Sequence, residues 1–270
     1  MPTRVEGRTV ASARRMHCRA CGLLVAAAIA AIATPVRAAH CSFESLGEGR
    51  VTAVIDARTF RLDDGREVRL AGIVPAVADG ARATAALSAI ISGRDVTLHG
   101  EDDAPDRYGR QPAFAFLAGS ETPVQSELLR RGEALVSTEV IDKGCAAGLV
   151  AAEAEARQAK TGTWADPAAI KNAESPGDIL AGIGRFTVVE GRVLSVRQAG
   201  ATTYLNFGRN WTRDFAVTIS RRMMPAFEAA GLGPKSLENR RIRVRGYVEA
   251  RGGPRIELLR VGQIEVLGGN

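Results

Sequence analysis

The chain has 270 residues, with 36 Lys and Arg against 30 Asp and Glu and a formal net charge of +6. Residues 1–38 hold six arginines and one glutamate, so the chain without them is only +1, and the overall basicity is no nucleic-acid signature. The remaining charge is uneven: residues 39–182 are net −7 and residues 183–270 net +8, which points to two modules with different partners.

In chain order, Arg4, Arg8, Arg14, Arg15 and Arg19 form a basic lead, followed by an apolar run from Gly22 to Ile32 that is short for a bilayer span. Val36-Arg37-Ala38 has the small residues of a cleavage site, so residues 1–38 read as a secretory signal cut before Ala39, with a retained anchor as the alternative. Arg14-Arg15 fits a twin-arginine signal poorly, and bulky His40 argues against a lipid on Cys41. The expected location is periplasmic or secreted, with no membrane contact of the mature form. Cys18 and Cys21 fall inside the signal, which leaves Cys41 and Cys145 as an even pair in an oxidising compartment. A disulfide between them is expected, worth about 3–4 kcal/mol through restriction of the unfolded chain; two buried thiols are the alternative.

Residues 39–168 read as a first domain. Val51 to Ile55 and Thr59 to Leu62 alternate as strands, Asp63-Asp64-Gly65-Arg66 is a hairpin turn, and Glu67 to Ile73 is the return strand. Ala83, Ala86, Leu87, Ile90 and Ile91 follow helical spacing. Asp95 to Leu98 and Gln111 to Leu117 are further strands; Val124, Leu128 and Leu129 mark a second helix, and Ala146 to Lys160 a third. The class is mainly β with helices: a five-stranded OB-type barrel carrying three helices. Pro176, Gly177 and Gly182 make residues 169–184 a linker. Residues 185–270 then supply strands at Phe186 to Val196, Thr202 to Phe207, Phe215 to Ile219, Arg241 to Val248 and Ile256 to Leu267, with a short helix at Ala226 to Ala230. Five strands with one helix after the third predict a second, basic OB-like barrel.

Four linked motifs carry a resemblance. They are Asp56-Ala57-Arg58-Thr59, the strand from Arg69 to Val77, the loop Asp106-Arg107-Tyr108-Gly109-Arg110, and the helix end Ala152-Glu153-x-x-Ala156-Arg157 with Gly162-Thr163-Trp164. Over residues 49–168 the chain resembles the thermonuclease (staphylococcal nuclease-like) family. The resemblance implies a hydrolase scaffold that cuts phosphodiesters with carboxylate-held Ca²⁺ and two phosphate-binding arginines. The chemistry needs both: cations stabilise the charge that builds on phosphorus, and a hard dication needs several oxygen ligands. Arg69 and Arg110 match the two arginines, which makes them the catalytic candidates by resemblance. The acids do not match. Arg58 stands where a metal-ligand Asp is expected, Val74 replaces a second Asp, and Val77 replaces the Glu that positions water.

The expected site is therefore a phosphate pocket of Arg58, Arg69, Arg110 and Tyr108 rather than a metal site. Asp56 and Asp79 remain as nearby acids for a makeshift metal site, although each has a structural role at a strand end or helix cap. Glu101-Asp102-Asp103 reads as a solvated loop and His99 as structural. In the basic module, period-2 geometry puts Arg241, Arg243, Arg245 and Tyr247 on one face, suited to a nucleic-acid backbone, with a solvated outer face as the alternative. Arg209, Trp211, Arg213, Arg221 and Arg222 would extend it.

The reading is an exported pseudoenzyme that binds DNA, RNA or another polyanion and needs no cofactor. One alternative is an active endonuclease that uses non-standard acids and Ca²⁺. The other is an envelope protein-interaction module.

Overall fold

The computed structural model describes residues 43–76, 80–140 and 142–268. The expected export signal, Cys41, Val77 and Asp79 lie outside the described residues. Among the described residues no helix is long and apolar enough to cross a membrane.

The first half builds β1 (Glu44–Asp56), β2 (Thr59–Leu62), β3 (Glu67–Leu70), β4 (Ile73–Pro75), α1 (Gly80–Ile91), β5 (Asp95–Gly100) and β6 (Gln111–Leu117). It continues with α2 (Val124–Arg130), β7 (Ala134–Val136) and α3 (Lys143–Ala159). Strands β1-β2-β3-β6-β5 close into a barrel. One long strand makes closure possible: Glu44 to Arg50 of β1 pair with β5, and Val51 to Asp56 of the same strand turn to pair with β2. Phe60, Leu62, Val68, Leu70, Leu98 and Phe114 fill the barrel, and Leu87, Leu128 and Leu149 of the three helices pack on the same core. The strand expected to run from Glu67 to Ile73 breaks at Gly72. Its φ of +78° suits glycine, and a Cβ there would meet Leu149 of α3 at 2.6 Å.

The second half contains β8 (Ile170–Asn172), α4 (Pro176–Leu180), β9 (Phe186–Arg192), β10 (Ser195–Ala199), β11 (Thr202–Asn206) and β12 (Ala216–Ser220). After these come α5 (Met224–Ala229), β13 (Arg241–Arg251), β14 (Gly253–Leu258) and β15 (Ile264–Val266). The sheet runs β10-β11-β12-β14-β13-β9-β8, with β15 on β13. β9 and β10 are two halves of one bent strand. At the bend the Val193 amide bonds to Arg240 on one side (3.0 Å) and the Leu194 amide to Asn206 on the other (2.8 Å). Through that bend the circular order repeats the first barrel, including the parallel pair β12–β14 that corresponds to β3–β6. The second OB-like unit is therefore present as a bent sheet with extra edge strands.

The expected linker is a correction. Residues 169–184 are structured: β8 pairs in parallel with β9, Ile170 opposite Val188, and Ile179 of α4 is fully buried. A three-residue strand with a partner distant in sequence leaves no local pattern, and only the Pro and Gly content was visible.

A small apolar cluster of Val74, Leu135, Ala156, Trp164 and Val188 joins the two halves. Beside it lies a buried ion pair. Glu153 of α3 is 0% exposed and Arg245 of β13 is 4% exposed. Arg245 Nη1 donates to Glu153 Oε2 at 2.8 Å and to Oε1 at 3.0 Å. The same carboxylate accepts from the Val136 amide at 2.8 Å and from Arg157 at 3.1 Å. Removing one partner of a buried pair strands the other charge, which costs about 3–5 kcal/mol. Glu153→Ala is therefore expected to lower unfolding stability by about that amount in a denaturant titration, and Glu153→Met with Arg245→Met to recover most of it. A loss under about 1 kcal/mol for Glu153→Ala would mean the pair does not hold the halves together.

Candidate functional site

The β1–β2 turn is set by Asp56, whose Oδ1 accepts the Arg58 amide at 2.8 Å. Asp56 is thus engaged by its own turn. The Arg58 carbonyl accepts from the Leu70 amide at 2.8 Å, which ties the turn to β3. Residue 59 lies opposite Arg69 in the β2–β3 register, so Arg58 and Arg69 come from neighbouring rungs. Arg58 Nη1 donates to the Ile73 carbonyl at 3.3 Å. Burial, and then the charge of Arg69, push the Arg58 guanidinium below its ordinary pKa; Tyr247, Asp56 and Glu139 oppose that fall. Arginine stays charged at any physiological pH despite such a shift.

Arg69 Nε is buried and has no hydrogen-bond partner. Among the described residues no carboxylate lies within ion-pair distance of Arg58 or Arg69. A cleft of about 220 Å³ runs beside Arg69, with Glu101, Asp102 and Glu139 also on its walls. No group of three or more His, Cys, Asp or Glu among the described residues is arranged to hold a metal ion. Val74, at the second expected acid position, is 5% exposed and pairs with Leu135 of β7 in the apolar seam. A carboxylate there would be buried against apolar side chains, at a large desolvation cost.

Arg110 departs from the expected three-cation pocket. Its Nη2 and Nε both donate to Asp106 Oδ2, at 2.8 and 3.0 Å. Asp106 Oδ1 also accepts the amides of Tyr108 (2.9 Å) and Arg110 (3.1 Å). Tyr108 is exposed and lies between two guanidinium groups, Arg107 at 4.7 Å and Arg110 at 4.9 Å from its ring centre. The loop satisfies Arg110 internally, so two unpaired cations remain rather than three. The pairing spans four residues within one tight loop.

The Asp106 carboxyl shows the strength of this clamp. Desolvation pushes it up, but the bonds from Arg110 and the two amides outweigh that and bring it to about 2. A depressed carboxylate stabilises the fold above its unfolded pKa of 3.8, and this contribution disappears as pH falls through about 2. In an NMR pH titration the Asp106 carboxyl carbon is expected to titrate near 2; a midpoint near 3.8 would mean that Arg110 is free of it.

The arginine stripe of β13 is the main correction. Period-2 geometry holds, but the middle of the face, at Arg243 and Arg245, is covered while Arg241 stays exposed. Arg245 is consumed by Glu153. Arg243 sits between Glu190 (2.6 Å) and Glu265 (2.7 Å), and Arg241 reaches Glu190 at 3.5 Å. Burial lowers the Arg243 guanidinium, but its bonds to these glutamates leave it above the ordinary value. Tyr247 remains exposed, edge-on to Phe186 with ring centres 5.5 Å apart. Arg243 and Arg245 therefore belong to an ionic seam, which leaves Arg241 and Tyr247 as the open part of the stripe. Glu153 was missed as its anchor. Its signal was an acid on the buried helical face of Leu149, Ala152 and Ala156.

The profile of the family described as Staphylococcal nuclease homologue matches residues 67–166. That staphylococcal nuclease-like stretch contributes β3, β5 and β6 to the closed five-stranded barrel, and β1 and β2 precede the match. No curated protein is found to be similar to the chain.

Proposed function

We propose that the protein is an exported, nuclease-derived binding protein that takes nucleic acid or another phosphate-bearing polymer without metal-dependent cleavage. One observation carries this reading: Arg69 holds a buried, unpartnered Nε beside Arg58, where the family pattern expects a metal-ligand carboxylate. Two neighbouring guanidinium groups repel a dication and offer donors to a phosphate oxygen. Tyr108 and Arg107 form an exposed cationic-aromatic edge on the Asp106–Arg110 loop. The basic lead and apolar run of residues 1–38 support export, and with it the Cys41–Cys145 disulfide. No cofactor is needed by this reading.

A second reading has one observation in its favour. Glu101, Asp102 and Glu139 line the cleft beside Arg69, and an active phosphodiesterase would have to recruit its calcium there.

The test is an assay on single-stranded DNA and RNA with Ca²⁺ or EDTA, beside an Arg58→Ala/Arg69→Ala variant. The expected result is no calcium-dependent cutting, with salt-sensitive binding that weakens about tenfold in the variant. Calcium-dependent cleavage lost in the variant would establish the phosphodiesterase instead. Neither cutting nor binding would leave a protein-interaction module of the cell envelope.

A further inference from the structure

A groove of about 810 Å³ crosses the second sheet, away from the Arg58–Arg69 site. Its floor follows one row of the sheet. Ser195 of β10 pairs with Asn206 of β11, Asn206 with Ala216 of β12, and Ala216 with Arg255 of β14. The small side chains at Ser195 and Ala216 give the row its depth. In the next row Arg197 stands opposite Tyr204, so a cation and a half-buried aromatic share this face.

One wall is the loop carrying Trp211, which is 74% exposed. This is not a loose loop. The Asn210 amide donates to Asp214 Oδ2 at 2.8 Å, the Asp214 amide to the Asn210 carbonyl at 2.7 Å, and Thr212 Oγ1 to Asn210 Oδ1 at 2.7 Å. Glycines let it seat tightly: a Cβ on Gly208 would strike Asp214 Oδ2 at 2.0 Å, and one on Gly253 the Asp214 carbonyl at 2.4 Å. An ordered loop that projects an indole into water is preorganised for a ligand with a flat face.

The charges on the groove are mostly positive. Arg197, Arg209, Arg251 and Arg255 line it, against Asp214, whose Oδ2 is already engaged. Glu249 lies 3.6 Å from Arg251 and 3.9 Å from Arg255. Among the described residues no carboxylate comes within ion-pair distance of Arg197 or Arg209.

We propose that this groove is a second binding site, for single-stranded nucleic acid, whose bases stack on Trp211 and Tyr204 while phosphates meet Arg197 and Arg209. The inference deepens the function proposed above and rests on it for the class of ligand, but its residues are separate. An acidic polypeptide would satisfy the arginines and leave the projecting indole without a stacking partner. Duplex DNA hides the faces of its bases and would use the arginines alone.

The chain holds two tryptophans, and Trp164 is buried, so fluorescence quenching by an added oligonucleotide reports Trp211. The experiment titrates labelled oligothymidylate in EDTA, by anisotropy and tryptophan quenching, on the full chain and two groove variants. These are Trp211→Ala and Arg197→Ala/Arg209→Ala; Arg58→Ala/Arg69→Ala serves as the comparison. The expected result is quenching in the unaltered protein and about tenfold weaker binding in each groove variant, with duplex of equal length binding less tightly. Affinity unchanged in both groove variants but reduced in Arg58→Ala/Arg69→Ala would overturn the groove and leave the proposed function standing. The reverse would keep the groove and remove the Arg58–Arg69 site. Displacement of the oligonucleotide by polyglutamate at equal charge concentration would overturn the nucleic-acid assignment, and no binding by any form would overturn both.

Discussion

A single buried carboxylate organises this molecule. Glu153 has no exposure to water, and it accepts from Arg245, Arg157 and the Val136 amide at once. An anion in that position is tolerable only when every lone pair has a donor. One donor comes from the helix's own next turn, one from β7 and one from the second sheet. The carboxylate therefore ties α3, β7 and β13 into one arrangement, and the apolar cluster of Val74, Trp164 and Val188 seals the space beside it. Arg243 extends the ionic seam through Glu190 and Glu265.

That seam bears directly on the nuclease-like site. Val74 is part of it, paired with Leu135 beneath the second sheet. A metal-ligand Asp at this position would lie against apolar side chains. The docking of the second half and the valine at residue 74 satisfy the same requirement, a dry interface. Arg58 belongs to the same logic: it reaches the Ile73 carbonyl in the strand that carries Val74, and Tyr247 of the second sheet acts on its charge. Val74 contributes packing here, and Arg58 contributes positive charge.

The sequence carried the barrel legibly, because a barrel strand buried on one face must alternate, and Asp63 to Arg66 announce their hairpin. It also carried the ring order of the second sheet, since five strands with a helix after the third leave few ways to close. What it could not carry was coverage. Alternation places Arg241, Arg243 and Arg245 on one face but cannot say whether water or a glutamate lies opposite. Glu153 sits among several acids in an alanine-rich helix, and only its place between Ala152 and Ala156 marked it. The parallel pairing of β8 depends on a partner outside its own sequence neighbourhood. The groove floor at Ser195 and Ala216 is defined by what those side chains lack, which no motif records.

We propose that Arg58 and Arg69 make this a site that prefers phosphate to calcium. Thermal unfolding of the protein with either ligand is the test, because only a ligand that binds the native state raises the midpoint. Pyrophosphate is expected to raise the melting temperature, with the rise lost in Arg58→Ala/Arg69→Ala, and millimolar Ca²⁺ to leave it unchanged. A calcium-dependent rise with no response to pyrophosphate would contradict it.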